Sequence, residues 1–106
     1  MANNKQVSTT GTTTSSYVAT NTYCGDYGAT TIMLKNTHAA NTMYYKIWGY
    51  AVNGGTNYRE LVAEASLAAE TAIDFESTKE AWGNIAVLVK NNSAACTYLL
   101  EYCNKN

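Results

Sequence analysis

Tyr58-Arg59-Glu60-Leu61-Val62-Ala63-Glu64-Ala65-Ser66-Leu67-Ala68-Ala69-Glu70 is the stretch on which the fold class turns. Its Ala, Leu and Glu residues are good helix formers, and Asn57 followed by Glu60 resembles a capping box. A helix would align Leu61, Ala65, Ala68 and Ala72 in a stripe that is mostly alanine and buries little area. Read with period two, Leu61, Ala63 and Ala65 share one face while Glu60, Val62 and Glu64 share the other. The strand reading is preferred, with a turn at Ala68-Ala69-Glu70 leading into a second strand. A helix near 58–72 would instead make the chain α+β.

Outward from this stretch the pattern repeats. Short segments rich in Thr, Tyr, Val and Ile alternate with Asn and Gly, the signature of strands joined by turns. Strands are expected at 17–20, 30–36, 42–52, 58–66, 71–76, 82–90 and 95–103. Asn53-Gly54-Gly55 supplies the positive backbone φ angles of a tight hairpin, and Asn91-Asn92-Ser93 plays a similar part before the last strand. No helical crossover intervenes. The expected fold is therefore all-β, an antiparallel β-sandwich of about seven strands, immunoglobulin-like or jelly-roll-like. The Cys-Trp-Cys spacing of immunoglobulin domains is missing.

Composition sets the outer bounds. A chain of 106 residues is one domain's worth, and 46% hydrophobic content, with nine Tyr, two Trp and one Phe, is enough for one core. Charged residues make up only 14% and the net charge is -1. The few cations, Lys5, Lys35, Lys46, Arg59, Lys79, Lys90 and Lys105, are scattered rather than gathered into a basic face, which argues against a nucleic-acid partner. No run approaches the length of a membrane span, and Met1 to Ser16 lacks the apolar region of a secretory signal.

That first segment is peculiar in itself. Ser8-Thr9-Thr10-Gly11-Thr12-Thr13-Thr14-Ser15-Ser16 contains no large apolar residue and has nothing to bury. Residues 1–16 are accordingly expected to form an extended Thr/Ser-rich N-terminal arm, ordered by a neighbouring chain, and 17–106 the sandwich domain. Thr12, Thr13 and Thr14 are the arm's candidate contact residues. The chain has no Pro, so every edge can donate its backbone N–H groups to a neighbour.

Residues capable of chemistry are sparse. His38 is the single histidine, in the loop Asn36-Thr37-His38-Ala39-Ala40-Asn41 with no carboxylate nearby in sequence, and reads as an exposed loop residue. Cys24, Cys96 and Cys103 form no paired metal-ligand spacing. Cys96 and Cys103, an odd step apart on one strand, point to opposite faces, so any disulfide must involve Cys24. Glu60, Glu64, Asp74 and Glu76 suit the solvent side of two strands. No catalytic residue, metal or cofactor is expected.

The strand Met43 to Tyr50 is more informative. Met43, Tyr45, Ile47 and Ala51 point inward, which sends Tyr44, Lys46, Trp48 and Tyr50 to the opposite face. Tyr17, Tyr23, Tyr27 and Tyr58 can add to that surface from adjoining segments. Aromatics at this density on an outer face mark contact with a protein or with sugar rings. Tyr44, Trp48 and Tyr50 are therefore the candidate interaction residues of the sandwich.

Four stretches together resemble tailed-phage virion β-sandwich proteins of the capsid decoration or cement type. They are Thr31-Ile32-Met33-Leu34-Lys35-Asn36-Thr37, Tyr44-Tyr45-Lys46-Ile47-Trp48-Gly49-Tyr50, Glu60-Leu61-Val62-Ala63-Glu64 and Ile85-Ala86-Val87-Leu88-Val89-Lys90-Asn91. The resemblance implies a non-enzymatic virion structural protein, assembled in the host cytoplasm, that docks on and stabilises a capsid or related assembly. Other virion proteins such as the major capsid protein, and further copies of the chain, are the partners it implies. The alternative expectation is a carbohydrate-binding module that holds surface glycans on Tyr44, Trp48 and Tyr50.

Overall fold

The computed structural model describes residues 4–25, 27–77 and 82–105. Eight strands follow one another: β1 (Asn4–Thr12), β2 (Val18–Asn21), β3 (Ala29–Asn36), β4 (Met43–Tyr50), β5 (Arg59–Leu67), β6 (Ala72–Ser77), β7 (Asn84–Asn91) and β8 (Thr97–Lys105). They form two four-stranded antiparallel sheets, ordered β1-β8-β3-β6 and β2-β7-β4-β5. β4 pairs with β5, β3 with β6, β2 with β7 and β1 with β8, a nested set of hairpin pairs. A long hairpin rolled over on itself gives this order, so the sandwich is of the jelly-roll kind and not the immunoglobulin kind.

The 58–70 stretch is extended, as the period-two reading requires. β5 lies along β4, with Leu67 opposite Met43, Ala65 opposite Tyr45 and Val62 opposite Ile47. Two register shifts interrupt this pairing, between Tyr45 and Ile47 and between Ile47 and Trp48. Such bulges break strict alternation, so Leu61 and Val62 both pack against the core and Ala63 is exposed. The expected Leu61-Ala63-Ala65 face is corrected accordingly. The turn falls where expected: the Thr71 N–H and hydroxyl both donate to the Ala68 carbonyl, and Glu70 adopts φ 60°.

Two other turns differ from expectation. Between β4 and β5 only Gly54 has positive φ, at 80°, and the Gly55 N–H donates to the Val52 carbonyl at 3.0 Å. This is type II geometry within a loop spanning residues 51–58, not a two-residue hairpin, and it leaves Ala51 exposed instead of inward. The 92–96 connection likewise turns without a left-handed Asn.

The N-terminal segment is the main correction. Residues 4–12 are not a free arm but β1, paired with β8 through all nine residues without a register shift. Its smallness is what makes it fit. Gly11 lies opposite Tyr98, and a Cβ on Gly11 would come within 2.5 Å of the Tyr98 hydroxyl oxygen. Small side chains let the strand lie across large core residues, and the strand contributes a backbone ladder in place of apolar bulk. The sandwich thus begins near Asn4, and has eight strands where about seven are expected.

Between the sheets lie Ile32, Leu34, Met43, Ile47, Ile85, Val87 and Leu100, all essentially inaccessible. Each contributes about 2 kcal/mol of hydrophobic stabilisation. Two buried asparagines tie one sheet to the other. The Asn36 side-chain amide, at the end of β3, donates to the Leu67 carbonyl on β5 at 2.9 Å and to the Asn41 carbonyl at 2.8 Å. Asn104 on β8 donates to the carbonyl of Thr22, just after β2, at 3.1 Å and accepts from the Thr30 hydroxyl at 2.8 Å. Cys24 and Cys96 are buried free thiols, and Cys103 is a half-buried one.

Candidate functional site

Strand β4 alternates strictly: Met43, Tyr45, Ile47 and Gly49 are buried, and Tyr44, Lys46, Trp48 and Tyr50 are half-buried on the outer side. Gly49 is small because a Cβ there would meet the Trp82 indole at 2.8 Å. The outer residues form one connected surface with their neighbours. Trp48 stacks on Tyr58, with ring centroids 3.8 Å apart and planes 13° from parallel, and Tyr50 meets Tyr58 at 6.1 Å and 60°.

Two lysines complete the surface. The Lys46 ammonium sits 4.1 Å from the Tyr17 ring centroid and 4.4 Å from that of Trp48. Lys90 lies 4.9 Å from the Tyr17 ring and 5.7 Å from that of Tyr44. The Tyr17 hydroxyl donates to Glu64, whose carboxylate is 3.9 Å from Lys90. Burial, then the Glu64 hydrogen bond and its negative charge, push the Tyr17 phenol above its ordinary range. Beneath this layer Ala86 and Leu88 are buried, although they face outward from β7 opposite Trp48 and Lys46. The aromatic and cationic side chains act as a cover for the outside of the sheet.

This arrangement limits what the face can bind. A ring stacked at 3.8 Å fills one side of Trp48, so Lys46, 4.4 Å from the same centroid, takes the other. The Tyr17 ring carries two ammonium groups. Trp48 thus has a ring on one side and a cation on the other, and these contacts hold the patch of Tyr, Trp and cation in place. Tyr50 also borders a polar cleft of about 180 Å³ with Asn21, Tyr23, Asn53 and Asn84.

Tyr44, Trp48 and Tyr50 thus come together on the outer face of one sheet, and the three threonines lie apart from one another in role. Thr12 is exposed at the end of β1. Thr13 is buried: its hydroxyl donates to the Asn91 side chain and accepts from the Cys96 N–H at 2.8 Å. It fastens the β1–β2 connection and is not available for contact, a correction to the expected arm surface. Thr14 is exposed, its hydroxyl donating to the Ser16 carbonyl at 2.9 Å. Glu64 as the partner of Tyr17 has no sequence signal, since the two are remote in the chain and meet only across the rolled sheet.

His38 has a local task. Its Nδ1 accepts the backbone N–H groups of Ala40 and Asn41 at 3.0 and 2.9 Å, closing the 37–41 loop. Among the described residues no group of three or more His, Cys, Asp or Glu side chains is placed to hold a metal ion.

Fold and face together define a jelly-roll β-sandwich with a preorganised aromatic and cationic outer surface. No protein-family model matches the chain, and no curated protein matches it. Solved structures do share the fold. The chain is similar to the Yersinia pseudotuberculosis-derived mitogen, with TM-score 0.62 and 19% identity over 92% of this chain and 84% of that one. It is similar to a subunit of the disulfide-linked pili that form Bacillus endospore appendages, with TM-score 0.61 and 10% identity over 97% and 87%. The SPBc2 prophage-derived protein YomS matches with TM-score 0.54 and 12% identity over 95% of each chain. At these identities the likeness is one of fold. None of the three identifies a family.

Proposed function

We propose that this chain is a non-enzymatic structural protein of a virion, one that docks on a capsid or related protein assembly and stabilises it. The observation that carries the reading is the Tyr17-Lys46-Trp48-Tyr58 layer on the outer face of β4. Its rings are immobilised by one another before any partner arrives, so little side-chain entropy is lost on docking. Neutral hydrogen-bonding side chains dominate elsewhere, as in wide contacts between subunits. The fold is one that pilus subunits and a prophage-derived protein also adopt. In this reading the partners are other virion proteins and further copies of the chain, and the location is the virion.

The test is co-sedimentation of the purified chain with the virus particles produced by cells that carry its gene. The intact chain is expected to pellet with particles, and Lys46→Glu and Tyr50→Ala, which leave the core untouched, are expected to reduce the bound fraction. No binding to particles at any concentration overturns the proposal. Retention on polysaccharide in affinity electrophoresis, abolished by Tyr50→Ala, would replace it with the glycan-binding reading through the cleft beside Tyr50.

A further inference from the structure

The four sheet edges of this sandwich are not alike. β2 is four residues long. β5 is bent by two register shifts and carries Arg59, Glu60 and Glu64. β6 is six residues long and bears Asp74 and Glu76. Shortness, bulges and charge are the devices by which edges avoid pairing with other chains. β1 is neither short nor bulged: it has nine residues in unbroken register, no Pro and only one charge, Lys5.

The open groups on β1 can be named. The Thr13 N–H donates to the Cys96 carbonyl at 2.8 Å, continuing the β1–β8 ladder by one residue. In an antiparallel pair, hydrogen-bonded residues alternate, so positions 5, 7, 9 and 11 face β8. The N–H and C=O groups of Asn4, Gln6, Ser8, Thr10 and Thr12 therefore point away from it. In the described sheet nothing lies beyond them. These same residues have exposed side chains that are short or neutral and offer no cover.

We propose that the chain self-associates through β1, two copies pairing their β1 strands antiparallel about a two-fold axis at Ser8. This deepens the assembly reading above and rests on it. Centring on Ser8 is the one symmetric register that uses all nine residues of the strand. Asn4 then faces the partner's Thr12, Gln6 faces Thr10, and Ser8 exchanges both bonds with its own copy. Every open group finds a partner. Residue faces also match, because even positions meet even positions and odd meet odd.

Side chains agree with this register. Lys5 falls opposite Gly11, so no like charges oppose. Val7, half-buried against the core, gains cover from the copy's Thr9. The result is a continuous eight-stranded sheet ordered β6-β3-β8-β1-β1-β8-β3-β6. Pairing β1 with β6 of a second copy would instead leave three residues of β1 unpaired, because β6 has only six, and would propagate into an open filament.

Sedimentation velocity on the full chain alone, without particles, tests this. A concentration-dependent monomer–dimer equilibrium is expected. Ser8→Pro removes the outward N–H at the axis without touching the β8 ladder, and Ser8→Lys sets two ammonium groups against each other there. Each is expected to weaken dimerisation about tenfold or more while leaving the thermal unfolding of the dilute monomer near that of the parent chain. Amide exchange at Gln6, Ser8 and Thr10 should slow as concentration rises. A chain that stays monomeric, a dimer indifferent to both substitutions, or filaments with protection at β6 overturns the inference. Because particles are absent, such a failure leaves the docking proposal standing, whereas a failure of docking shows only in the co-sedimentation, so the two are told apart.

Discussion

The Trp48 indole and the Tyr58 phenol are stacked at 3.8 Å, and they come from opposite ends of the loop that joins β4 to β5. The stack both closes that loop and fills one face of the indole. Tyr58→Ala is expected to lower stability by about 0.5–1.5 kcal/mol, the usual worth of an aromatic pair. Urea unfolding measures the loss, and the exposed indole should emit at longer wavelength. An unchanged emission maximum would mean that Tyr58 does not shield Trp48.

Tyr17 gives the outer face a pH dependence at the alkaline end. The folded chain holds the phenol proton more tightly than the unfolded chain does, because of burial and of Glu64. The associated stability is therefore fully present below a pH of about 10, the ordinary tyrosine value, and is lost as pH rises beyond it. Glu64→Gln removes the charge and should bring the Tyr17 titration, followed by NMR of the ring carbons, down toward that of an exposed tyrosine. A titration that does not move would show that Glu64 has no part in holding the proton.

Asn36 is the tie between the sheets at one end of the sandwich. Asn36→Ala leaves the Leu67 and Asn41 carbonyls without their side-chain donor and the His38 N–H without its acceptor. A loss of about 2–3 kcal/mol is expected, read as a lower urea midpoint with an unchanged slope. Asn36→Asp should be worse, since it aims a carboxylate at two carbonyl oxygens. A near-neutral alanine variant would refute the staple.

Gly11 and Tyr98 form a steric pair across β1 and β8. Gly11→Ala should cost about 1–3 kcal/mol, because its Cβ would land within 2.6 Å of the ring carbon that bears the hydroxyl. In Tyr98→Leu the same alanine should cost much less, giving a coupling of about 1 kcal/mol in a double-mutant cycle. Additive losses would mean that β1 and the ring do not compete for space.

Much of this is legible in the chain because strand periodicity is local. Alternation from Met43 to Tyr50 places Tyr44, Lys46, Trp48 and Tyr50 outside and Met43, Tyr45 and Ile47 inside, as found. What escapes is anything whose cause lies in another strand. β1 looks like an arm because Thr, Ser and Gly carry no apolar bulk, yet its fit comes from Tyr98 on β8. The Leu61-Ala63-Ala65 face fails because bulges in the pairing with β4 reset the parity, and bulges are not written in composition. The rings at Trp48 and Tyr17 are legible as exposed aromatics, but not as rings already covered by lysines.

The sequence by itself determined the class of this protein: turn residues and period-two alternation favour antiparallel strands, and the stripe that a helix would align in 58–70 is mostly alanine and buries little. Only the tertiary structure decided that the strands nest as a jelly roll, that residues 4–12 close one sheet and leave its edge open, and that the aromatic face is preassembled. The physical reason is range. Periodicity and propensity act over a few residues, whereas edge exposure, ring stacking and buried amide ties depend on segments that meet only after the hairpin has rolled up.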